Sequence, residues 1–596
     1  MVLRFFVLAA TIAAYSLDIG MAQHIAEMPQ QPPLQPNPPV AATIAADAAD
    51  SLDIDMAQHS AEMPPLQPNP PVWPHSVTVF GPDDAAEANA IMTQLSTTLN
   101  DRAAGHFSNE RRAFLFKPGA YEMDVAVGYY VSVHGLGASP GDVVIAGPRG
   151  IYVDAMDKRA GGAGSLDTFW RSMENLERVG DLRWAVSQAA PLRRVRVGGD
   201  LVLHDGGAYA SGGFLANAAV GGRVDFGSQQ QWASRNVAVG RGAAGGAWSL
   251  VYVGCEGVGA SSAPGVEPRA SVVPTTPLVA EKPFVVVDGE KYALRVPEMK
   301  RDAAGYAFDE PSRDVPFERV FVADAAKHGA EALQRALDAG LDVVLAPGVY
   351  ELDAGLVVGR ANAVVLGLGL ATLVAPATGA PAVKVAAPGV RLAGVVLQAG
   401  DAPPGSSLLE WDGDGGVLSD VFARVGGPGS RAARADTMVR VAGAGVVLDN
   451  LWLWRADHAA LEPGEEPRPG EVYHLVADGE CYSETGLVVD GDDVVAYGLA
   501  VEHTLGDQLV WRGERGRVFF YQSELPYDVD QAFADAGHVG YRVTAAAHES
   551  VGAGVYSFFR DSQCLVPAAV AAPPTANFTN AFTKHLNGHP GILSVT

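Results

Sequence analysis

Two glutamates 22 residues apart, Glu502 and Glu524, each close a run of apolar and aromatic residues: "LAVEH" ends on Glu502 and His503, and "FFYQSELPYD" carries Glu524 just ahead of Tyr527 and Asp528. Hydrolysis of a glycosidic bond needs such a pair of carboxylates. One must stay protonated at the working pH to donate to the leaving oxygen, and a like-charged neighbour raises its pKa. Strand alternation sends Phe520, Gln522 and Glu524 to one face and Phe519, Tyr521 and Ser523 to the other. Pro526, which cannot donate to a sheet ladder, then ends the strand and sets Tyr527 and Asp528 beside the acid. In "LWLWRADH", Trp454 beside Arg455 and Asp457 suits a sugar platform, an apolar ring face with charged groups for the hydroxyls. In "GSQQQW", Gln229 and Gln231 are expected to share a strand face and to hold a water or a hydroxyl. Each group has a plainer reading too: a stacked polar ladder, a buried tryptophan with a surface ion pair, or a glutamine ladder on an outer surface.

Other chemistries lack their residues. The chain has no G-x-S-x-G elbow, no H-E-x-x-H, no phosphate loop and no cysteine-pair zinc site, so side chains alone are expected to act, without cofactor or metal. The aspartates of "VDGDDV" (Asp490, Asp492, Asp493) read as turn residues that bond backbone rather than as calcium ligands. Three cysteines, Cys255, Cys481 and Cys564, allow at most one disulfide within the chain. A net charge of −26 argues against nucleic acid or another polyanion as partner and favours a neutral substrate.

The elements that must position these residues come from a duplication. "DDAAEANAIMTQLSTTL", "RAFLFKPGAYEM" and "YYVSVHGLG" are answered in the same order by "AAKHGAEALQRALDAG", "DVVLAPGVYELD" and "AVVLGLGLA". In both copies a helix precedes an apolar strand, a Pro-Gly-x-Tyr turn (Pro118, Gly119, Tyr121; Pro347, Gly348, Tyr350) and a Gly-Leu-Gly. The glycine of the turn permits positive φ. Short Val-x-Val strands follow, punctuated by Gly, Asp and Pro. A sandwich or propeller could give this rhythm, but an opening helix that caps the sticky first edge favours parallel β-helices. The chain is thus expected to be all-β, two tandem parallel β-helices each opened by a short capping helix: residues 73–280, a connector at 281–315, and 316–596. Two such solenoids side by side would leave a cleft between them.

Before them, Arg4 and the 13 apolar residues "FFVLAATIAAYSL" read as a secretory signal ending near Ala22, too short to span a bilayer. A duplicated Pro-rich segment, 23–72, reads as an extended spacer. No transmembrane segment is expected, and the protein is expected to be secreted.

Ten motifs in order, among them "LFKPGAYEMDVAVGYYVSVHGLG", "FWRSMENL", "WAVSQAAPLRRV", "ASGGF", "GSQQQW", "VVLGLGLATL", "WLWRADH", "LVVDGDDVVAYGL", "VEH" and "SELPYD", resemble the bacterial branch of glycoside hydrolase family 55, the exo-β-1,3-glucanases or laminarinases. The resemblance implies right-handed β-helices in a rib-cage arrangement and cofactor-free, inverting release of glucose from the non-reducing end of β-1,3-glucan. Separately, the protein is expected to be a monomer. It makes Glu524 the general acid, Glu502 its essential neighbour and Tyr527 a contact beside the acid. Trp454 and Asp457 would grip the terminal glucose, and Gln229 and Gln231 would lie near the attacking water. It singles out no carboxylate base. Two segments depart from the family pattern, the acidic, Pro-rich "AALEPGEEPRPGEVYHLVADGECYSET" and "TLGDQ". The alternative from another class is a β-helix that binds glucan or builds a wall without turnover.

Overall fold

The computed structural model describes residues 66–157, 163–260, 267–477 and 479–596. The expected signal and most of the spacer lie outside the described residues. The last spacer residues belong to the folded body: Asn69 donates to the carbonyl of Tyr292 (3.0 Å) and to Glu318 (2.9 Å), and Trp73 packs edge-on against Tyr292 and Phe317.

The valine-rich runs stack as parallel strands. An 11-stranded sheet runs from Val77–Phe80 to Arg269–Val273, with a 4-stranded sheet of two-residue strands beside it. A 12-stranded sheet runs from Val320–Ala323 to Phe582–His585, with an 8-stranded one from Leu356–Val358 to Val570–Ala571. In the second repeat each further coil adds a strand to both sheets in the same direction, which is the build of a parallel β-helix, and two of them stand in tandem. Antiparallel strands join them. Phe284–Asp288, Lys291–Pro297 and Ser312–Pro316 form one sheet, and Thr276–Val279 pairs with Lys300–Ala303, so the connector starts slightly before the expected 281. The helices Ala85–Leu99 and Ala330–Asp338 stand where the duplication predicts them. In the second, Leu333 and Leu337 are buried over Val343 and Leu356, covering the first coil.

The Pro-Gly-x-Tyr duplication is structural as well. The Tyr121 hydroxyl donates to the carbonyls of Phe80 and Lys117, and the Tyr350 hydroxyl to those of Ala323 and Ala346. Gly119 has φ +150, but Gly348 is there for space: a Cβ would stand 2.5 Å from that of Ala325.

From Arg391–Gln398 onward, one residue in each of six successive long strands is left-handed and drops out of register at the same level: Gly394, Asp420, Asn450, Gly498, Phe520 and Gly552, with φ between 52° and 72°. This ladder of kinks overrides simple alternation. Phe519 therefore sides with Phe520 against the first repeat, while Tyr521 turns into its own coil.

The two repeats are locked by buried charges. Arg193 of the first pairs with Asp420 (2.7 Å) and Asp449 (2.6 Å) of the second, and Arg235 pairs with Asp449 (2.8 Å) and Glu281 (2.7 Å). Lys282 bridges Glu174 (2.6 Å) and Asp420 (3.1 Å). Burial alone would raise Asp420 and Glu281, yet the cations beside them hold both at about 2. These contacts decide which faces of the solenoids meet.

Candidate active site

Gln398, Arg424, Trp454, Glu502, Glu524 and Tyr556 are successive register partners along one end of the 12-stranded sheet. The 22-residue interval is therefore one coil, and Glu502 and Glu524 face each other across neighbouring strands, ~4.8 Å apart along the stack. Both are buried, at 3% and 8% exposure. Glu502 accepts from the Trp452 indole (2.7 Å) and from Gln188 Nε2 (2.9 Å). Glu524 accepts from Gln522 Nε2 (3.2 Å) and from the Tyr527 hydroxyl. Pro526 turns the chain after the strand Gly516–Glu524, so Tyr527 folds back onto the acid and meets His503 edge-on, with ring centroids 4.4 Å apart.

Burial, and then the Glu524 charge, push Glu502 well above the ordinary carboxyl range. Burial lifts Glu524 to about 7 against the Tyr527 hydrogen bond, which favours its charged form, and the Asp457 charge adds to the rise. The pair thus keeps a proton near neutrality, as a general acid requires. His503 is pushed down to about 4 by burial and is neutral there.

Asp457 accepts from the Trp454 indole (3.2 Å) and lies 3.0 Å from His458 Nδ1 and 3.8 Å from His503 Nε2. His458, through its hydrogen bond and charge, is the chief influence that outweighs burial and holds Asp457 well below the usual carboxylate range. Trp454 itself differs from the expected platform. It is 1% exposed, packed among Trp452, His458, His106 and Trp170, so this motif offers the cleft the Asp457 carboxylate rather than a ring face. The cover comes from both repeats. The acidic insertion folds back so that the Tyr473 hydroxyl donates to the Arg102 carbonyl (2.9 Å), and His458 meets His106 at 3.4 Å. His474, between Glu465 (2.8 Å) and Glu480 (2.9 Å), ties the insertion together. Arg455 forms a buried two-pronged pair with Asp528 (2.7 and 2.9 Å), which anchors the turn after Glu524 instead of contacting a sugar.

From the first repeat, Gln231 reaches this region and Gln229 does not. A bend at Gln230 separates them, so they do not share a face. Gln229 Nε2 donates inward to the carbonyls of Val186 (2.8 Å) and Leu203 (2.7 Å) of earlier coils. Gln231, which opens the strand Gln231–Val239, accepts from the hydroxyl of Tyr556, the register partner of Glu524. Gln188 and Ser211 were missed by the sequence reading. Ser211 donates to Gln188 (2.7 Å), which in turn holds Glu502, and both line a narrow cavity with Gln231, Trp452 and Gln522. Their signal was the same coil-length spacing: 23 residues from Gln188 to Ser211 and 20 on to Gln231. Asp507 pairs with Arg542, and Asp490, Asp492 and Asp493 pair with Arg440, Arg512 and Arg515 on the turns.

Tandem β-helices whose junction holds two stacked, proton-sharing glutamates define a glycosidase-type site of the β-helix class. A family model, the LAM55 pectate lyase-like domain, matches residues 320–524. An exo-beta-1,3-glucanase of Streptomyces sp. (strain SirexAA-E / ActE) is 36% identical over 511 residues, 81% of this chain and 79% of the relative. The structure of sacteLam55A from Streptomyces sp. SirexAA-E matches with TM-score 0.76 and 34% identity over 86% of this chain and 93% of the other. A glutamate-to-alanine variant of that protein in complex with glucose matches with TM-score 0.76 and 33% identity, over 86% and 92%. The chain belongs to glycoside hydrolase family 55.

Proposed function

We propose that the protein is an exo-acting β-1,3-glucanase that releases glucose from the non-reducing end of laminarin-type glucans with inversion. The observation that carries this is the register pairing of Glu502 with a buried Glu524, whose carboxyl burial lifts to about 7, so that it can protonate the leaving oxygen. Glu502, held by Gln188 of the first repeat, supplies the ionisable partner and, with Ser211 and Gln231, polar groups for the attacking water. The packed rings of His106, His458 and Tyr473 form a wall beside Asp457, and a wall there suits removal of end units rather than internal cutting. The exo-β-1,3-glucanase relative and the glucose-bound variant support the substrate class. We also propose that the protein is secreted, from its leader, and acts as a monomer.

Incubation with laminarin tests the reading. Steady release of glucose, first as the α-anomer, is expected, and Glu524→Gln is expected to lose roughly a thousandfold in rate while still binding glucan. Binding without release by the wild type would favour the non-catalytic alternative. Near-normal hydrolysis by Glu524→Gln would remove Glu524 as the acid.

A further inference from the structure

A second concave site lies at the other end of the same sheet. Arg391 opens the strand Arg391–Gln398, and Gln398 at its far end begins the ladder that leads in four coil steps to Glu524. At ~3.3 Å per residue along the strand and ~4.8 Å per coil, the two places are about 30 Å apart. There, between the connector strands Lys291–Pro297 and Ser312–Pro316 and the turns at 360–362 and 389–391, lies a groove of about 680 Å³. That is within the range of roughly 300–1,000 Å³ typical of small-molecule sites.

Three guanidinium groups line it, those of Arg313, Arg360 and Arg391. Arg360 pairs with Asp342, while Arg313 donates to the Asn362 carbonyl (2.7 Å) and stands 3.9 Å from the same aspartate. Asp342 also accepts from the Val364 amide (2.9 Å), so this one buried carboxylate is already shared. The Arg391 side chain makes no hydrogen bond or ion pair among the described residues, and its Nη1 is buried without a partner, as is Nε of Arg360. The other carboxylate at the groove, Glu298, is exposed. Burial and then the Arg313 charge push Arg391 down to about 10, so it stays cationic at neutral pH. In a chain of net charge −26, a half-buried cation without a counter-ion is a costly feature unless a ligand completes it.

We propose that this groove binds a small organic oxyanion, a sugar phosphate or sugar carboxylate, with Arg391 as the two-pronged clamp and Arg313 and Arg360 flanking it. A planar guanidinium with free N–H groups matches carboxylate or phosphate oxygens in pairs. Val296 and Met299 give the rest of such a molecule an apolar wall.

The test is calorimetric titration of the whole protein at low ionic strength with glucose 6-phosphate, glucuronate and inorganic phosphate. Excess glucose is present throughout, so that any site for the neutral sugar is already filled. Expected is saturable binding of one of the two organic anions, tighter than inorganic phosphate, unchanged in Glu524→Gln and weakened at least tenfold in Arg391→Met. Arg313→Gln, a more exposed change, should also weaken it and serves if Arg391→Met unfolds. No binding by any of the three, equal binding in the arginine variants, or binding of inorganic phosphate alone would overturn the proposal.

Discussion

Ionising Glu524 inside the folded protein has a cost that its surroundings define. Its carboxyl titrates at about 7, against 4.5 for an ordinary glutamate, chiefly because burial strips the charged form of water. At ~1.4 kcal/mol per tenfold change in proton affinity, that difference is worth about 3 kcal/mol. The folded state binds this proton more tightly than the unfolded chain. The contribution is therefore fully present below about pH 4.5 and is lost as the pH rises through about 7. Urea unfolding of the wild type and of Glu524→Gln at pH 4.5 and pH 8 isolates it, since glutamine keeps the shape and cannot ionise. The wild type should lose at least about 3 kcal/mol more than the variant between the two pH values, since removing the Glu524 charge also relieves part of the rise of Glu502. The same ionisation removes the proton donor, so glucose release by the wild type should fall as the pH passes about 7. Parallel pH profiles of stability in the two proteins would refute the reasoning, because Glu524 would then ionise in the folded state as freely as in solvent.

Two further outcomes are expected. Asp449→Ala leaves Arg193 and Arg235 buried with one fewer counter-charge each, and should cost roughly 3–5 kcal/mol in urea unfolding; a loss under about 1 kcal/mol would mean that the network is hydrated and slack. The exported protein should begin near Gln23 by mass spectrometry, and a secreted species retaining Met1 would contradict the leader.

How much was legible depended on whether a feature repeats along the chain. The Glu502–Glu524 pairing could be read because one coil of the solenoid appears in the sequence as a fixed interval, and the duplicated Pro-Gly-x-Tyr turns marked both openings. Gln229 and Gln231 looked equivalent because nothing local announces the bend at Gln230 that parts them. The burial of Trp454 depends on His106, which reaches it from the distant first repeat and is itself backed by Tyr473 of the long insertion. The kink ladder is visible where Gly, Asn or Asp occupies it, residues that tolerate a left-handed backbone. It is hidden at Phe520, a bulky residue that takes φ 71° only under tertiary constraint. Gln188 lay in a recognised motif, but its partner Glu502 is 314 residues away, and no pattern within either repeat links them.

The buried charges between the repeats are divided unequally: the first repeat brings Arg193 and Arg235 with the single acid Glu174, the connector Glu281 and Lys282, and the second repeat Asp420 and Asp449. Two copies of either half would set like charges against each other, so neither repeat can stand in for its partner despite their common origin. The division also has a time dimension. Arg193 leaves the ribosome 227 residues before Asp420, which at roughly 5–20 residues per second is an interval of about ten seconds to nearly a minute. Through that interval Arg193 and Arg235 outnumber the one acid, Glu174, on the inner face of the first solenoid, so the face carries a net positive charge that disfavours contact with another nascent first repeat. The groups that lock the mature protein thereby protect the half-made one until its own second repeat arrives.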